Sequence, residues 1–112
     1  MMNKENEFFI EKIKDHNQIF EFKGNLTYSN SNEIKQLLLR QFQPNKSKYI
    51  LDLSNINSVD STGMGIILSF SKIVEDNKSI VLVIKDDFIQ ELFMIAKLDQ
   101  LFQIVKSAEE IE

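Results

Sequence analysis

The residues of this chain best placed for chemistry are two adjacent hydroxyls in the stretch Val59-Asp60-Ser61-Thr62-Gly63-Met64-Gly65. The stretch follows an apolar segment at 49–53, typical of a buried strand, and precedes an apolar run typical of a helix. It is therefore predicted to be a strand-to-helix turn. Its N-cap, which accepts hydrogen bonds from the first helical turn, is Asp60, Ser61 or Thr62. The glycines leave the backbone open beside the positive end of the helix dipole, where a molecule could react or dock.

The turn lacks the residues that would make its hydroxyls catalytic. It has neither the spacing nor the lysine of a nucleotide-binding P-loop, and no glycine precedes the serine as in a nucleophile elbow. The only histidine, His16, lies between Asp15 and Asn17 in a predicted hairpin turn, where a surface role is expected. Asp60 could act as a base beside Ser61, but no histidine or lysine is placed to complete a relay. We therefore predict that the protein is not an enzyme and holds no cofactor or metal.

A hydroxyl that does not react can still be modified. Phosphorylation would add about −1.5 to −2 charge, which the helix N-terminus favours and the neighbouring Asp60 opposes. A partner resting on Ser61, Gly63 and Met64 would then meet a dianion that is costly to desolvate. These properties predict an on/off binding switch. A purely structural role for Ser61, as the N-cap of the helix, is the alternative that the residues themselves leave open.

The composition is that of an ordinary globular protein. With 112 residues, 43% of them apolar and 27% charged, the chain is expected to form one domain over residues 1–112. Its net charge of −4, without a basic cluster, argues against nucleic acid and an anionic membrane surface as partners. The absence of cysteine excludes disulfides and thiolate metal sites. No signal core and no run of about 18 apolar residues is present, so a cytoplasmic location without membrane contact is expected.

The hydrophobic pattern predicts an α/β fold with the order β-β-α-β-α-β-α-β-α. The predicted strands are 8–14, 19–23, 49–53, 79–84 and 101–105. The first two strands form a hairpin that Gly24-Asn25 interrupts, and the β-branched run at 80–84 is typical of a central parallel strand. We expect a mixed, largely parallel sheet of about five strands covered by helices.

Capping signals mark where the predicted helices begin. The capping-box spacing occurs three times, at Asn30 with Glu33, at Asp87 with Gln90 and at Ser107 with Glu110. The first of these helices is expected to stop before Pro44. The helix after the hydroxyl turn is expected to continue to about 76–77.

The helix after the hydroxyl turn has an unusually wide apolar face. At about 100° per residue, its apolar side chains span an arc of roughly 220°. A surface helix needs a stripe of only about 100° to face its core. The excess is either buried under a neighbouring helix or exposed for a partner, and Met64 beside the turn is the apolar residue best placed for contact.

Several segments together resemble one known family. Leu51-Asp52-Leu53 followed by the stretch 59–65 resembles the signature of the STAS domain (sulfate transporter and anti-sigma factor antagonist), specifically its stand-alone bacterial anti-sigma factor antagonists. Segments 22–26, 80–84 and 98–110 are similar to other strands and the C-terminal helix of that family. The resemblance covers nearly the whole chain and implies a single STAS domain.

The resemblance implies a phosphorylation cycle. Ser61 matches the family's phosphorylated serine, and Thr62 is the second candidate. The unmodified antagonist would bind an anti-sigma factor with serine kinase activity and so free a sigma factor. Phosphorylation would release it, and a PP2C-type phosphatase would restore it. The partner-binding residues implied are Asp60, Ser61, Thr62, Gly63, Met64 and Gly65. ATP and magnesium would belong to the kinase, and the protein is expected to be a monomer or a weak dimer.

Two positions depart from the family pattern, and one alternative function is open. Met64 stands where the family usually has leucine, a change of similar volume. Lys97 precedes Leu98 where the family commonly has glycine, so the end of that helix must be capped differently. The alternative is a constitutive STAS interaction or scaffold subunit, in a signalling complex or beside a transporter, with Ser61 only as a cap. The paired hydroxyls favour the switch, because a scaffold has no need for the second one.

Overall fold

A computed structural model describes residues 3–111 and contains one mixed sheet of six strands. The strands are β1 (Lys4–Glu5), β2 (Phe9–Lys14), β3 (Asn17–Leu26), β4 (Lys48–Val59), β5 (Ile80–Val83) and β6 (Gln103–Val105). Their order across the sheet is their order along the chain. The first three strands pair antiparallel, and β3 to β6 pair parallel. Each strand therefore pairs with its neighbours in sequence, and the chain advances across the sheet in one direction.

Three helices cover one face of the sheet. They are α1 (Ser31–Gln41), α2 (Ser61–Ser71) and α3 (Asp87–Ile95). Each connects two neighbouring parallel strands, and every connection steps in the same direction across the sheet. Because such crossovers are almost always right-handed, all three helices lie on the same face. The large apolar residues that the three helices bury accordingly belong to one hydrophobic cluster.

The two faces of the sheet differ in how they are covered. On the helical face, Phe20 is fully buried and makes edge contacts with Phe9 and Phe70, with ring centroids 5.4 and 5.6 Å apart. Aromatic pairs of this geometry add to the hydrophobic free energy of burial. The opposite face carries a smaller cluster, against which Ile111 packs. Its buried members are Ile50, Val81, Val83 and Val105.

The predicted fold class is confirmed, with six strands instead of about five. The additional strand is the two-residue β1, which pairs with β2 at the edge of the sheet. The β-branched run is the predicted parallel strand, since β5 lies between two parallel neighbours and all four of its residues are buried. None of the helices within residues 3–111 is long and apolar enough to cross a membrane.

Two strands are longer than predicted. The predicted interruption at Gly24-Asn25 is wrong, because β3 continues through it to Leu26 with a change of register against β4. Gly24 has a φ of 79°, a backbone conformation that glycine adopts readily and that suits a bulge. Strand β4 likewise runs past residue 53 to Val59. Both strands therefore end beside the hydroxyl turn.

The capping predictions were correct in one case and wrong in two. Ser107 and Glu110 do form a capping box, around a 3-10 turn at residues 108–110. Asn30 occupies the predicted N-cap position of α1, but its side chain does not cap the helix. It accepts a hydrogen bond from the Thr27 N–H, at 3.1 Å, and belongs to a 3-10 turn at residues 28–30.

The ends of α2 and α3 also differ from the predicted ones. Helix α3 is capped by Asp86, one residue before the predicted cap, and Asp86 Oδ1 accepts a hydrogen bond from the Ile89 N–H at 2.9 Å. Helix α2 ends at Ser71, before the predicted 76–77. After α3, the expectation of a different cap is wrong, because Lys97 adopts a φ of 63° and forms the left-handed cap that glycine would otherwise provide.

Truncation of Phe20 tests the aromatic core. Phe20→Ala should lower the free energy of unfolding by about 3–5 kcal/mol, because it removes a fully buried ring and leaves a cavity. Phe88→Ala is the matched control, since Phe88 is 68% exposed and its loss should change stability by less than about 0.5 kcal/mol. Urea denaturation followed by circular dichroism measures both. Equal effects of the two changes would contradict the assignment of Phe20 to the core.

Candidate phosphorylation and partner-binding site

Asp60 is the N-cap of α2, which decides between the three candidates that the sequence offered. Its backbone is extended, and its Oδ1 accepts a hydrogen bond from the Gly63 N–H at 2.8 Å. Its Oδ2 accepts a second one from the Tyr28 N–H at 3.0 Å. One carboxylate thus fixes the start of α2 and also the turn that follows β3. These hydrogen bonds lower the pKa of Asp60 below its ordinary value of 3.8, with the Gly63 N–H as the largest cause and the Tyr28 N–H as the second.

Gly63 lets α2 approach the end of β3 more closely than any other residue would. A Cβ at this position would overlap the carbonyl oxygen of Leu26 and lie 2.7 Å from its carbonyl carbon. The same carbonyl accepts the Asp60 N–H at 3.3 Å. Gly63 is buried as a result. It belongs to the site because it brings the first turn of α2 onto the sheet, and it offers little surface of its own.

Ser61 and Thr62 lie exposed in the first turn of α2. Neither hydroxyl has a hydrogen-bond partner within the described part of the chain. The interpretation of Ser61 as the N-cap is therefore wrong, because Asp60 has that role. Both hydroxyls point from the positive end of a helix, beside N–H groups that favour an anion.

The wide apolar face of α2 is mostly buried. Its most buried residues contact the sheet and the neighbouring elements, and these are Gly63, Ile66, Ile67, Phe70 and Ser71. Met64 and Leu68 are half-buried and pack against the same core. Of the two possibilities left open by the sequence, burial by neighbouring elements thus accounts for most of the excess. Only part of Met64 and part of Leu68 remain exposed.

A shallow groove separates α1 from α2 next to the hydroxyls. Thr62 and Gly65 form its α2 wall, and Ser31 and Lys35 lie on the α1 side. A Cβ at Gly65 would meet nothing within 4 Å, so the groove is open at this point. Thr62 therefore faces the groove that contains a lysine, whereas Ser61 is not among the residues that line it.

The end of β3 adds residues to the site that the sequence did not indicate. Tyr28 is 77% exposed, and its N–H is held by Asp60. Ser58 donates a hydrogen bond to Asn25 Oδ1 at 2.9 Å, which joins the ends of β3 and β4. Because the carboxyl ends of adjacent parallel strands meet at one edge of a sheet, correct strand ends would have brought these residues to the turn. The erroneous break at Gly24-Asn25 concealed them.

The chain's single histidine lies far from Ser61. His16 precedes β3 and Leu26 ends it, so the ten residues of this strand place the imidazole roughly 30 Å from the turn. Within residues 3–111, no group of three or more histidine, aspartate and glutamate side chains could hold a metal ion. The arrangement presents two free hydroxyls at a helix N-terminus, which suits modification or contact.

Comparison with known proteins identifies the family. The family model of the STAS domain matches residues 9–111. The chain belongs to the STAS domain family. Its match begins at the first long strand and includes every helix, so the hydroxyl turn lies inside the STAS domain.

Solved structures share this STAS fold. An anti-sigma factor antagonist from Mycobacterium paratuberculosis is 13% identical, with a TM-score of 0.82 over 91% of this chain and 87% of that one. A putative anti-sigma factor antagonist from Thermotoga maritima is 24% identical, with a TM-score of 0.77 over 91% and 89%. The Bacillus cell fate determinant SpoIIAA in its phosphorylated form is 15% identical, with a TM-score of 0.61 over 90% and 94%. At these identities the likeness concerns the fold.

The two glycines of α2, Gly63 and Gly65, provide a matched test of the close approach. Gly63→Ala should lower the free energy of unfolding by about 1–3 kcal/mol, because the added methyl group displaces α2 from the Leu26 carbonyl. Gly65→Ala should raise it by about 0.5–1 kcal/mol, since the methyl group meets open space and alanine favours the helix. Chemical denaturation measures both. A stabilising Gly63→Ala would contradict the packing described.

Acid titration tests the Asp60 cap. Because the pKa of Asp60 is lower in the folded protein than its ordinary value of 3.8, its stabilising contribution is complete above that value. The contribution should be lost as the pH falls through the lower, folded-state pKa. Asp60→Asn keeps a side chain able to cap but cannot titrate, so its stability should vary less with pH in this range. Thermal unfolding from neutral pH to about pH 2 compares the two proteins, and parallel curves would show that the carboxylate is not involved.

Proposed function

We propose that this protein is an anti-sigma factor antagonist whose binding is switched by phosphorylation of Ser61. The observation that carries the proposal is the division of roles at the start of α2. Asp60 caps the helix, and the Ser61 hydroxyl is left exposed without a structural partner. Membership of the STAS family and the fold shared with named anti-sigma factor antagonists support it.

In the proposed cycle the unmodified protein binds an anti-sigma factor that has serine kinase activity, and thereby frees a sigma factor. The partner contacts Ser61, Thr62, Met64 and Gly65. Gly63 is buried and positions this surface, because it lets α2 pack against the end of β3. Phosphorylation by the bound kinase puts a dianion in the interface. The partner then has to desolvate that charge, so the complex dissociates. A PP2C-type phosphatase resets the cycle in the cytoplasm, and the protein itself performs no catalysis.

The geometry favours Ser61 over Thr62 as the modified residue. Ser61 is the first residue of α2 and is exposed, so a kinase can reach its hydroxyl. Thr62 lines the groove between the helices, where α1 limits access from one side. A phosphate on Ser61 would also leave the Asp60 cap unchanged, because no hydrogen bond of that cap uses the serine side chain. The modification would therefore change the surface and preserve the fold.

Mass analysis of the protein from its own cells tests the phosphorylation. We expect a fraction heavier by one phosphate, mapped to Ser61 by peptide analysis, that changes between rich and stressed growth. Thr62→Val is the matched control, since it removes the other hydroxyl and should retain the phosphate, whereas Ser61→Ala should lose it. The free energy of unfolding of both variants should lie within about 0.5 kcal/mol of that of the unchanged protein, because neither hydroxyl makes a hydrogen bond within the described residues.

Binding by the purified kinase completes the test. Ser61→Ala should remain bound in the presence of ATP, and Ser61→Glu should bind weakly without it. Absence of phosphate in every growth condition, with equal binding by both variants, would refute the switch and favour a constitutive STAS scaffold.

A further inference from the structure

The surface around Asp60 is almost free of charge. The three longest uncharged runs of the chain are 61–71, 24–32 and 53–59, in a sequence of which 27% is charged. They form α2, the end of β3 with the turn and first residues of α1 that follow it, and the second half of β4. Their exposed side chains are serine, threonine, asparagine and one tyrosine. We call these three runs the uncharged surface. Depletion of charge is typical of the central part of protein–protein interfaces.

Tyr28 is the exposed aromatic residue of the uncharged surface. Its side chain is 77% exposed and makes no hydrogen bond within residues 3–111. Its backbone is held on both sides, because the N–H donates to Asp60 Oδ2 at 3.0 Å and the carbonyl accepts the Ser31 hydroxyl at 3.0 Å. A tyrosine on a fixed backbone offers a large contact area and loses little conformational entropy when it binds.

The Asp60 carboxylate brings Tyr28 and Ser61 together. One oxygen accepts the Tyr28 N–H, and the other accepts the Gly63 N–H in the first turn of α2. Ser61 directly follows Asp60 in that turn. A partner that covers the Ser61 hydroxyl therefore also meets the turn that carries Tyr28.

We propose that Tyr28 is the aromatic anchor of the surface that binds the anti-sigma kinase. This inference rests on the proposed function and adds a contact outside the hydroxyl turn. The Tyr28 ring enters an apolar pocket of the kinase, and the neutral side chains around it are covered without leaving a buried charge unpaired. A phosphate on Ser61 places a dianion within this uncharged surface, and the kinase is then released.

Binding to the kinase tests the anchor. The probe is the kinase that phosphorylates Ser61, purified by that activity from the protein's own cells. Tyr28→Ala should raise the dissociation constant about tenfold or more, because it removes the ring, whereas Tyr28→Phe should stay within about threefold. Phe88→Ala is the matched control, since it removes a ring that is 68% exposed on α3, and it should leave the dissociation constant unchanged. Circular dichroism confirms that each variant is folded.

An added charge tests the extent of the uncharged surface. Asn57 is exposed near the end of β4, so Asn57→Asp should weaken kinase binding about threefold or more because the new charge must be desolvated. Asn45→Asp is the matched control. Asn45 is also exposed, but it precedes β4 and so lies at the opposite edge of the sheet, and its substitution should leave binding unchanged.

The anchor and the phosphorylation switch can fail separately. Tyr28→Ala should raise the KM for phosphorylation of Ser61 and leave kcat unchanged, because the ring contributes to binding alone. Normal binding by Tyr28→Ala with weak binding by Ser61→Glu would overturn the anchor and leave the switch intact. Weak binding by Tyr28→Ala with normal binding by Ser61→Glu would support the anchor and refute the switch. Equal effects of Tyr28→Ala and Phe88→Ala, or of the two asparagine substitutions, would also overturn the proposal.

Discussion

The position of the start of α2 depends on its contact with the carbonyl of Leu26, at the end of β3. It accepts the Asp60 N–H and lies directly against Gly63, so the helix begins in contact with the sheet. The Asp60 carboxylate then holds two further N–H groups, one in α2 and one in the turn after β3. Backbone groups and a single aspartate make all these contacts. The side chains of Ser61 and Thr62 therefore take no part in them. The free hydroxyls at the site follow from this arrangement.

The winding of the sheet determines where that site can be. Every parallel connection steps in the same direction, so the helices share one face and their N-termini share one edge with the carboxyl ends of the strands. The end of β3 and the start of α2 meet at this edge although they are distant along the chain. His16 lies at the opposite edge, since the whole of β3 intervenes. The same fold that assembles the hydroxyl surface thus excludes the chain's single imidazole from it.

Local signals in the sequence were sufficient for the fold class and for the position of the turn. The β-branched run of β5 and the polar turn before α2 have patterns that neighbouring residues alone determine. Features that depend on distant residues were not predictable. Gly24 reads as a strand break, yet pairing with Ile56 of β4 carries the strand through it. Gly63 reads as open surface, because nothing near it in sequence shows that Leu26 will lie against it.

Caps illustrate the same limit on a smaller scale. Asp86 and Asp87 are both competent N-caps, and spacing alone selected the wrong one. At α2 three adjacent residues were competent N-caps. Asp60 has this role, and its second hydrogen bond comes from the Tyr28 N–H, which is distant in sequence and lies after β3. The choice between neighbouring polar residues is therefore a tertiary property. At this site it decides that Asp60 is the structural residue and that the Ser61 hydroxyl is left exposed.

The hydrogen bonds of Asp60 also bear on whether the site can carry a second negative charge. A bare carboxylate next to Ser61 would repel a phosphate. Here its two oxygens are already engaged by N–H dipoles, which stabilise the charge and lower the pKa of Asp60. The part of its field that reaches the serine is reduced accordingly, and the helix N-terminus contributes attraction of the opposite sign. The cap that frees Ser61 from a structural role thus also lowers the electrostatic cost of modifying it.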